Sequence, residues 1–133
     1  MALRYLLDTN TASYTIRGNF PSVRQHLLQL PVDGVGVSVI TEAELRFGAA
    51  RLPQVVRVRV LVREFLATYN AIPWTSDAAI RYADLRLTVE RSGVPIGPLD
   101  LMIAAHALAL GAVLVSHDRV FRRVPELKLE DWA

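Results

Sequence analysis

Short runs of apolar and β-branched residues alternate along the chain with longer segments whose apolar positions recur every three to four residues. The short runs predict β-strands, and the longer segments predict amphipathic helices. Strands are predicted at residues 4–7, 35–40, 70–74, 112–116 and, at the edge, 127–132; helices are predicted at 11–17, 22–30, 41–50, 53–69, 76–91 and 99–110, with a short turn at 119–124. This alternation predicts a three-layer α/β/α fold whose central sheet is largely parallel and has four to five strands.

Two of these predictions depend on local signals. Residues 55–62 alternate apolar residues with arginine, as a strand would, but Pro53 at a helix-start position and the continuation through residues 63–66 favour a helix. Gly111 follows the last apolar position of the sixth helix, so we expect it to end that helix.

Length and composition narrow the class of protein. A chain of 133 residues with 52% hydrophobic and 21% charged residues is expected to form one domain, residues 1–133, around one filled core. There is no cysteine, so disulfides, thiolate nucleophiles and cysteine-bound zinc are excluded. The apolar start is interrupted at Asp8 and no later apolar run approaches the length of a membrane span, so we expect a cytoplasmic protein with no membrane partner.

The basic residues point weakly toward nucleic acid. The formal net charge is only +2, but Lys128 is the single lysine among 15 basic residues, and arginine suits bidentate contacts to phosphate. A genome with biased base composition explains the same preference equally well.

Four acidic residues are predicted to meet at one edge of the sheet. Asp8 ends the first strand, Glu44 lies one turn into the helix after the second strand, Asp100 begins the helix before the fourth strand, and Asp118 follows that strand. The carboxyl ends of parallel strands form the usual ligand site of open α/β sheets. These four acids are therefore the candidate catalytic and metal-binding residues.

Each acid also has a purely structural explanation. Asp8 and Asp100 fit helix N-caps, and Asp118 fits a turn position. The pattern Thr41-x-x-Glu44 fits a capping box in which Glu44 only folds back onto the start of its helix. These explanations do not account for four acids at one edge of one sheet.

Electrostatics favours a bound cation at this edge. Two carboxylates about 5 Å apart repel by roughly 3 kcal/mol at an effective dielectric constant near 20. A hard divalent cation, Mg²⁺ or Mn²⁺, is the natural partner, because it prefers carboxylates, water and phosphate oxygens. One or two such ions at a phosphodiester would support hydrolysis. Short polar neighbours are expected to orient the acids or water; these supporting residues are Thr9, Asn10, Ser38 and Ser116.

Four segments carry a resemblance to a known family. They read LLDTN at residues 6–10, SVITEAELRFG at 38–48, GVPIGPLDLMIAAHA at 93–107 and VLVSHDRVFRRV at 113–124, and a Leu-Glu-Asp-Trp segment closes the chain. The short DTN motif is weak by itself, but the ordered set is specific. Over essentially its whole length, the chain resembles the VapC-type PIN-domain ribonuclease toxins of type II toxin–antitoxin systems.

The resemblance implies a PIN-like α/β/α fold, in which Asp8, Glu44, Asp100 and Asp118 bind Mg²⁺ or Mn²⁺. It implies an endoribonuclease that inhibits translation by cleaving structured RNA, with transfer RNA, including initiator transfer RNA, as the leading substrate and the ribosomal sarcin-ricin loop as a second. It also implies a homodimer and a cognate VapB-type antitoxin. Replacing Asp8 or Asp100 by alanine is expected to abolish cleavage and to leave the fold stable, or even stabilised without metal.

Two positions leave alternatives open. Glu42 competes with Glu44, although the family pattern places the acid before the apolar residue and the aromatic-glycine pair, which favours Glu44. The segment Ser116-His117-Asp118 stands where the family more often has Thr-Asn-Asp or Thr-Asn-Asn, so His117 either contacts substrate or is merely exposed. His106 is expected to be structural.

Three other classes of protein fit the sequence less well. A Mg²⁺-dependent phosphatase of the haloacid dehalogenase type needs Asp-x-Asp, but Asn10 replaces the second Asp, and Lys128 is poorly placed to bind phosphate. A receiver domain needs an adjacent pair of acids, which this sequence lacks at Asp8, and a lysine, for which Lys128 is equally poorly placed. A non-catalytic PIN-like RNA-binding module would normally have lost some of the four acids.

Overall fold

A central sheet of five parallel strands, in the order β3-β2-β1-β4-β5, organises the fold. The structure, a computed structural model, describes residues 2–133. The strands are β1 (Tyr5–Leu7), β2 (Val35–Ser38), β3 (Ala71–Ile72), β4 (Val113–Val115) and β5 (Leu129–Glu130). All five predicted strands are therefore present in shortened form, and every pairing is parallel rather than largely so.

Within the described residues, six helices cover the two faces of the sheet and confirm the α/β/α prediction. They are α1 (Thr9–Arg17), α2 (Pro21–Leu28), α3 (Val39–Ala50), α4 (Val56–Thr68), α5 (Ser76–Ser92) and α6 (Pro98–Leu110), with short 3₁₀ turns at Val32–Gly34 and Arg119–Arg123. The arginine-rich segment is helical, as predicted, but α4 begins at Val56 instead of Pro53. Gly111 ends α6 in the left-handed conformation, with φ 65°, which confirms its predicted role.

Side chains on opposite faces of the strands build two hydrophobic clusters. Tyr5 and Leu7 point into a cluster with residues of α1 to α4 and Trp132, whereas Leu6 lies in a cluster with residues of α5 and α6. This is the period-two alternation of a strand that is buried on both faces. Within residues 2–133, no helix is long and apolar enough to cross a membrane.

The start of α3 differs from the prediction. The second strand was expected to run to Ile40 and the helix to begin at Thr41, but the helix begins at Val39 because the Ser38 hydroxyl accepts a hydrogen bond from the Ile40 amide at 3.1 Å. Thr41 therefore lies inside the helix and is not its cap. The capping-box alternative for Glu44 is wrong, and the Glu44 side chain is available for another contact.

Candidate metal centre

The register of the sheet places Asp8 and Ser116 side by side. Leu7 of β1 pairs with Val115 of β4, so Asp8 and Ser116 are the next residues at the same edge. Asp8 is only 3% exposed; its Oδ2 accepts a hydrogen bond from Ser116 Oγ at 2.6 Å, and its Oδ1 accepts one from the Thr11 amide at 2.8 Å. Asp8 is thus both the N-cap of α1 and a member of the acidic edge.

Burial raises the pKa of Asp8 above its ordinary value, because desolvation disfavours the charged carboxylate. The hydrogen bonds from Ser116 and Thr11 offset part of that rise, and the nearby charge of Asp118 adds to it. The Asp8 carboxylate is therefore held in position by hydrogen bonds and is repelled by the negative charge of Asp118.

Asp118 is connected to Asp8 through Ser116. The Asp118 amide donates to Ser116 Oγ at 3.0 Å, and the same hydroxyl donates to Asp8. Asp118 Oδ1 accepts from the Val120 amide at 2.9 Å, as its turn-forming alternative predicted. Its side chain is exposed, so one oxygen caps the 3₁₀ turn and the carboxylate still reaches solvent at the site.

Glu44 is tied to the end of β1 by Thr9. Thr9 Oγ1 donates to Glu44 Oε1 at 2.6 Å and lies 3.0 Å from Thr41 Oγ1. Glu42 instead forms an ion pair with Arg46, at 2.8 Å, one turn along α3. Of the two candidate glutamates, therefore, Glu44 extends toward the acidic edge, and the charge of Glu42 is already neutralised.

Asp100 occupies the first turn of α6, two residues after Pro98, and Gly97 rather than Asp100 is the N-cap. The carboxylate is half-buried, and no hydrogen bond or ion pair to it is formed within residues 2–133. Burial raises its pKa from 3.8 to about 6, and the charges of Asp118, Glu44 and Asp8 contribute to the same rise. The structure therefore brings the four predicted acids into one electrostatically coupled cluster.

The charge of this cluster is not balanced by a basic side chain of residues 2–133. None of the four acids forms an ion pair with arginine or lysine in this part of the chain. The same part of the chain contains no three Asp, Glu or His side chains that converge on one point as metal ligands. The donor set fits a hard divalent cation in its oxygen chemistry and charge, and binding one would require side-chain rotation.

The polar residues that were predicted to support the site lie in different environments. Thr9 and Ser116 bond to acids, whereas the Asn10 side chain is exposed and Ser38 is buried at the start of α3. His106 Nδ1 lies 2.8 Å from Ser38 Oγ, and burial lowers the pKa of His106, which suits a neutral structural imidazole. The sequence did not indicate the contacts of Thr11, which lies at an ordinary helix position, and it indicated Thr41 only as a possible helix cap.

This fold and its acidic edge place the chain in a known class. The family model described as "PIN domain" matches residues 5–127, so the chain belongs to the PIN-domain family. Membership of this family implies dependence on a divalent metal ion in general.

Within that family, the chain is similar to VapC ribonucleases. It is 34% identical over 131 residues to the tRNA(fMet)-specific endonuclease VapC of Salmonella typhimurium, covering 98% of both proteins. It is 35% identical over 133 residues to ribonuclease VapC1 of Haemophilus influenzae, covering 96% of this chain and 97% of the relative. The crystal structure of DNA-bound VapBC from Salmonella typhimurium superposes with a TM-score of 0.92 at 34% identity, covering 98% of this chain and 99% of that chain.

Proposed function

We propose that this chain is a VapC-type endoribonuclease toxin that hydrolyses phosphodiester bonds in RNA with the help of Mg²⁺ or Mn²⁺. The observation that supports it most is the cluster of Asp8, Glu44, Asp100 and Asp118, where burial and, to a smaller extent, three acidic neighbours raise the pKa of Asp100 to about 6. A divalent cation would neutralise the repulsion within such a cluster. Relatives of this chain are named as ribonucleases.

The four acids would hold the ion, and each has a distinct local role. Asp8, fixed by Ser116 and Thr11, provides a rigid carboxylate, and Thr9 directs Glu44 toward it. Within residues 2–133 the Asp100 carboxylate accepts no hydrogen bond, so it can rotate toward a cation. A bound divalent ion would supply Lewis-acid stabilisation of the negative charge that develops on the scissile phosphate.

The relatives support a substrate and partners for this chain. The relative named tRNA(fMet)-specific makes initiator transfer RNA the leading substrate. Relatives of this fold were solved as VapBC complexes, which supports a VapB-type antitoxin as the cognate partner. We further propose that residues 1–133 act as one domain, that two copies form a homodimer, and that the protein works in the cytoplasm.

Mapping of new RNA ends tests this function. Purified, antitoxin-free protein is incubated with total bacterial RNA in Mg²⁺ or in EDTA, and new 5′ ends are sequenced. Discrete cuts in Mg²⁺ that disappear in EDTA are expected, and they should concentrate in initiator transfer RNA. Cuts confined to another RNA would refute the substrate. The absence of cuts from folded protein in Mg²⁺ would refute nuclease activity and favour a non-catalytic binding module.

A further inference from the structure

Three aromatic rings lie together beside the acidic cluster. Tyr14 of α1 and Phe20, which precedes α2, have ring centroids 4.6 Å apart, and Phe20 and His117 have centroids 5.5 Å apart. His117 directly precedes Asp118 in the chain. Phe20 is 41% exposed, and the His117 side chain is 49% exposed. We call the exposed pair Phe20 and His117, with Tyr14 behind it, the aromatic step.

The backbone of Phe20 is strained. Its φ of 49° and ψ of 79° lie in the left-handed region, and among residues 2–133 only Glu126 is a second non-glycine residue with positive φ. A bulky aromatic residue is unfavourable there, and glycine would be the ordinary choice. The ring packs against Tyr14 and His117 but is still 41% exposed, so this strained position presents part of an aromatic face to solvent.

The surroundings of His117 are polar and carry both basic and acidic side chains. Its Nδ1 lies 2.8 Å from Asp131 Oδ2, which fixes the plane of the imidazole. A cavity of about 170 Å³ beside the ring is lined by His117, by the basic residues Arg119 and Arg122, and by the acids Asp118, Glu130 and Asp131. Exposed rings next to guanidinium groups fit a nucleotide, because a base can stack on a ring while the arginines face its phosphate.

We propose that the aromatic step is a base-stacking subsite that holds one unpaired nucleotide of the RNA substrate next to the scissile phosphate. This inference rests on the proposed ribonuclease function and deepens it. Its position is set by chain continuity, because a base on His117 lies one residue from Asp118. An aromatic ring at residue 20 is therefore needed for substrate binding, whereas the fold would tolerate its loss.

Steady-state cleavage of full-length initiator transfer RNA in Mg²⁺ tests the subsite. Phe20→Ala and Phe20→Leu are expected to lower kcat/KM by roughly 5- to 100-fold, mainly through KM, because one base stack is lost. Phe20→Tyr and Phe20→Trp should stay close to wild type. Leu28→Ala is the matched control; Leu28 is 81% exposed at the far end of α2, about 12 Å along the helix axis, and its loss should not change KM.

A glycine variant separates binding from folding. Phe20→Gly relieves the backbone strain, so its melting temperature should equal or exceed that of wild type, while its KM should rise as in Phe20→Ala. The proposal is overturned if Phe20→Leu cleaves like wild type, or if the loss falls on kcat and follows a lowered melting temperature. It is also overturned if Phe20→Ala keeps its KM and instead weakens binding of the antitoxin. Wild-type protein that cleaves no RNA would instead refute the proposed function.

Discussion

Asp8 and Asp100 carry the same side chain in opposite environments. Asp8 is buried and accepts hydrogen bonds from Ser116 and Thr11, whereas Asp100 is half-buried and accepts none within residues 2–133. Removing the Asp8 carboxylate would leave two buried donors unpaired, at a cost of about 1–3 kcal/mol each. The expectation of a stable Asp8→Ala protein therefore no longer follows, and Asp100 is the better position for testing the site.

The stability of the metal-free protein should depend on pH through Asp100. Its pKa is raised from 3.8 to about 6 in the folded state, so the folded protein binds more protons than the unfolded chain between these values. The stabilisation by protonated Asp100 is complete below pH 3.8 and is lost as the pH rises through about 6. Above that pH, the charged carboxylate destabilises the fold.

Asp100→Asn removes this titration. In EDTA at pH 7.5, the variant should be more stable than wild type by about 1 kcal/mol, a value reduced for solvent screening, and the difference should shrink as the pH falls toward 4. Urea unfolding at several pH values measures it. A difference that stays constant with pH would show that the pKa of Asp100 is not raised in the folded protein.

The positions of the four acids could be predicted from the sequence, but the contacts that their side chains make could not. Asp8, Asp100 and Asp118 stand at predicted strand and helix ends, and Glu44 lies one turn into its predicted helix, so the topology alone predicts that they meet at one edge. The bond between Thr9 and Glu44 depends on the rotation of α3 about its own axis. That rotation is set by packing against the sheet, which the local sequence does not specify.

The start of α3 shows how one element positions the site. Ser38 ends β2, caps α3 and lies 2.8 Å from His106 of α6, so a single hydroxyl joins a strand and two helices. The apolar Val39 and Ile40 extend the hydrophobic run of β2 and therefore predicted a longer strand. The partner His106 is 68 residues away, and no local pattern indicates such a contact.

Ser38→Ala should destabilise the protein by about 1–2 kcal/mol, because the helix cap and the partner of the buried His106 are lost together. Thr75→Ala is the control, since Thr75 is the N-cap of α5 but makes no side-chain capping bond. Urea unfolding at neutral pH compares the two. Equal losses in both variants would mean that the hydroxyl of Ser38 contributes nothing beyond its position.

At the scale of the whole molecule, the strand order creates the site. β1 lies at the centre of the order, with β2 on one side and β4 on the other, so the ends of three adjacent strands surround Asp8. The alternation of strands and helices predicted a parallel sheet with helices on both faces. It did not fix the strand order, because several orders bury the same apolar faces equally well. The PIN fold was predicted from the resemblance of the ordered segments to the family and not from the periodicity of apolar residues.

The central claim is that the acidic edge performs metal-dependent RNA cleavage, and Asp100→Asn tests it most directly. Cleavage of initiator transfer RNA by wild type and variant is followed at equal concentration across a Mg²⁺ series, with both proteins checked for native folding. We predict that wild-type cleavage rises with Mg²⁺ and that the variant is slower by about 100-fold or more. A folded Asp100→Asn protein that cleaves at the wild-type rate would contradict the assignment of this cluster as the active site.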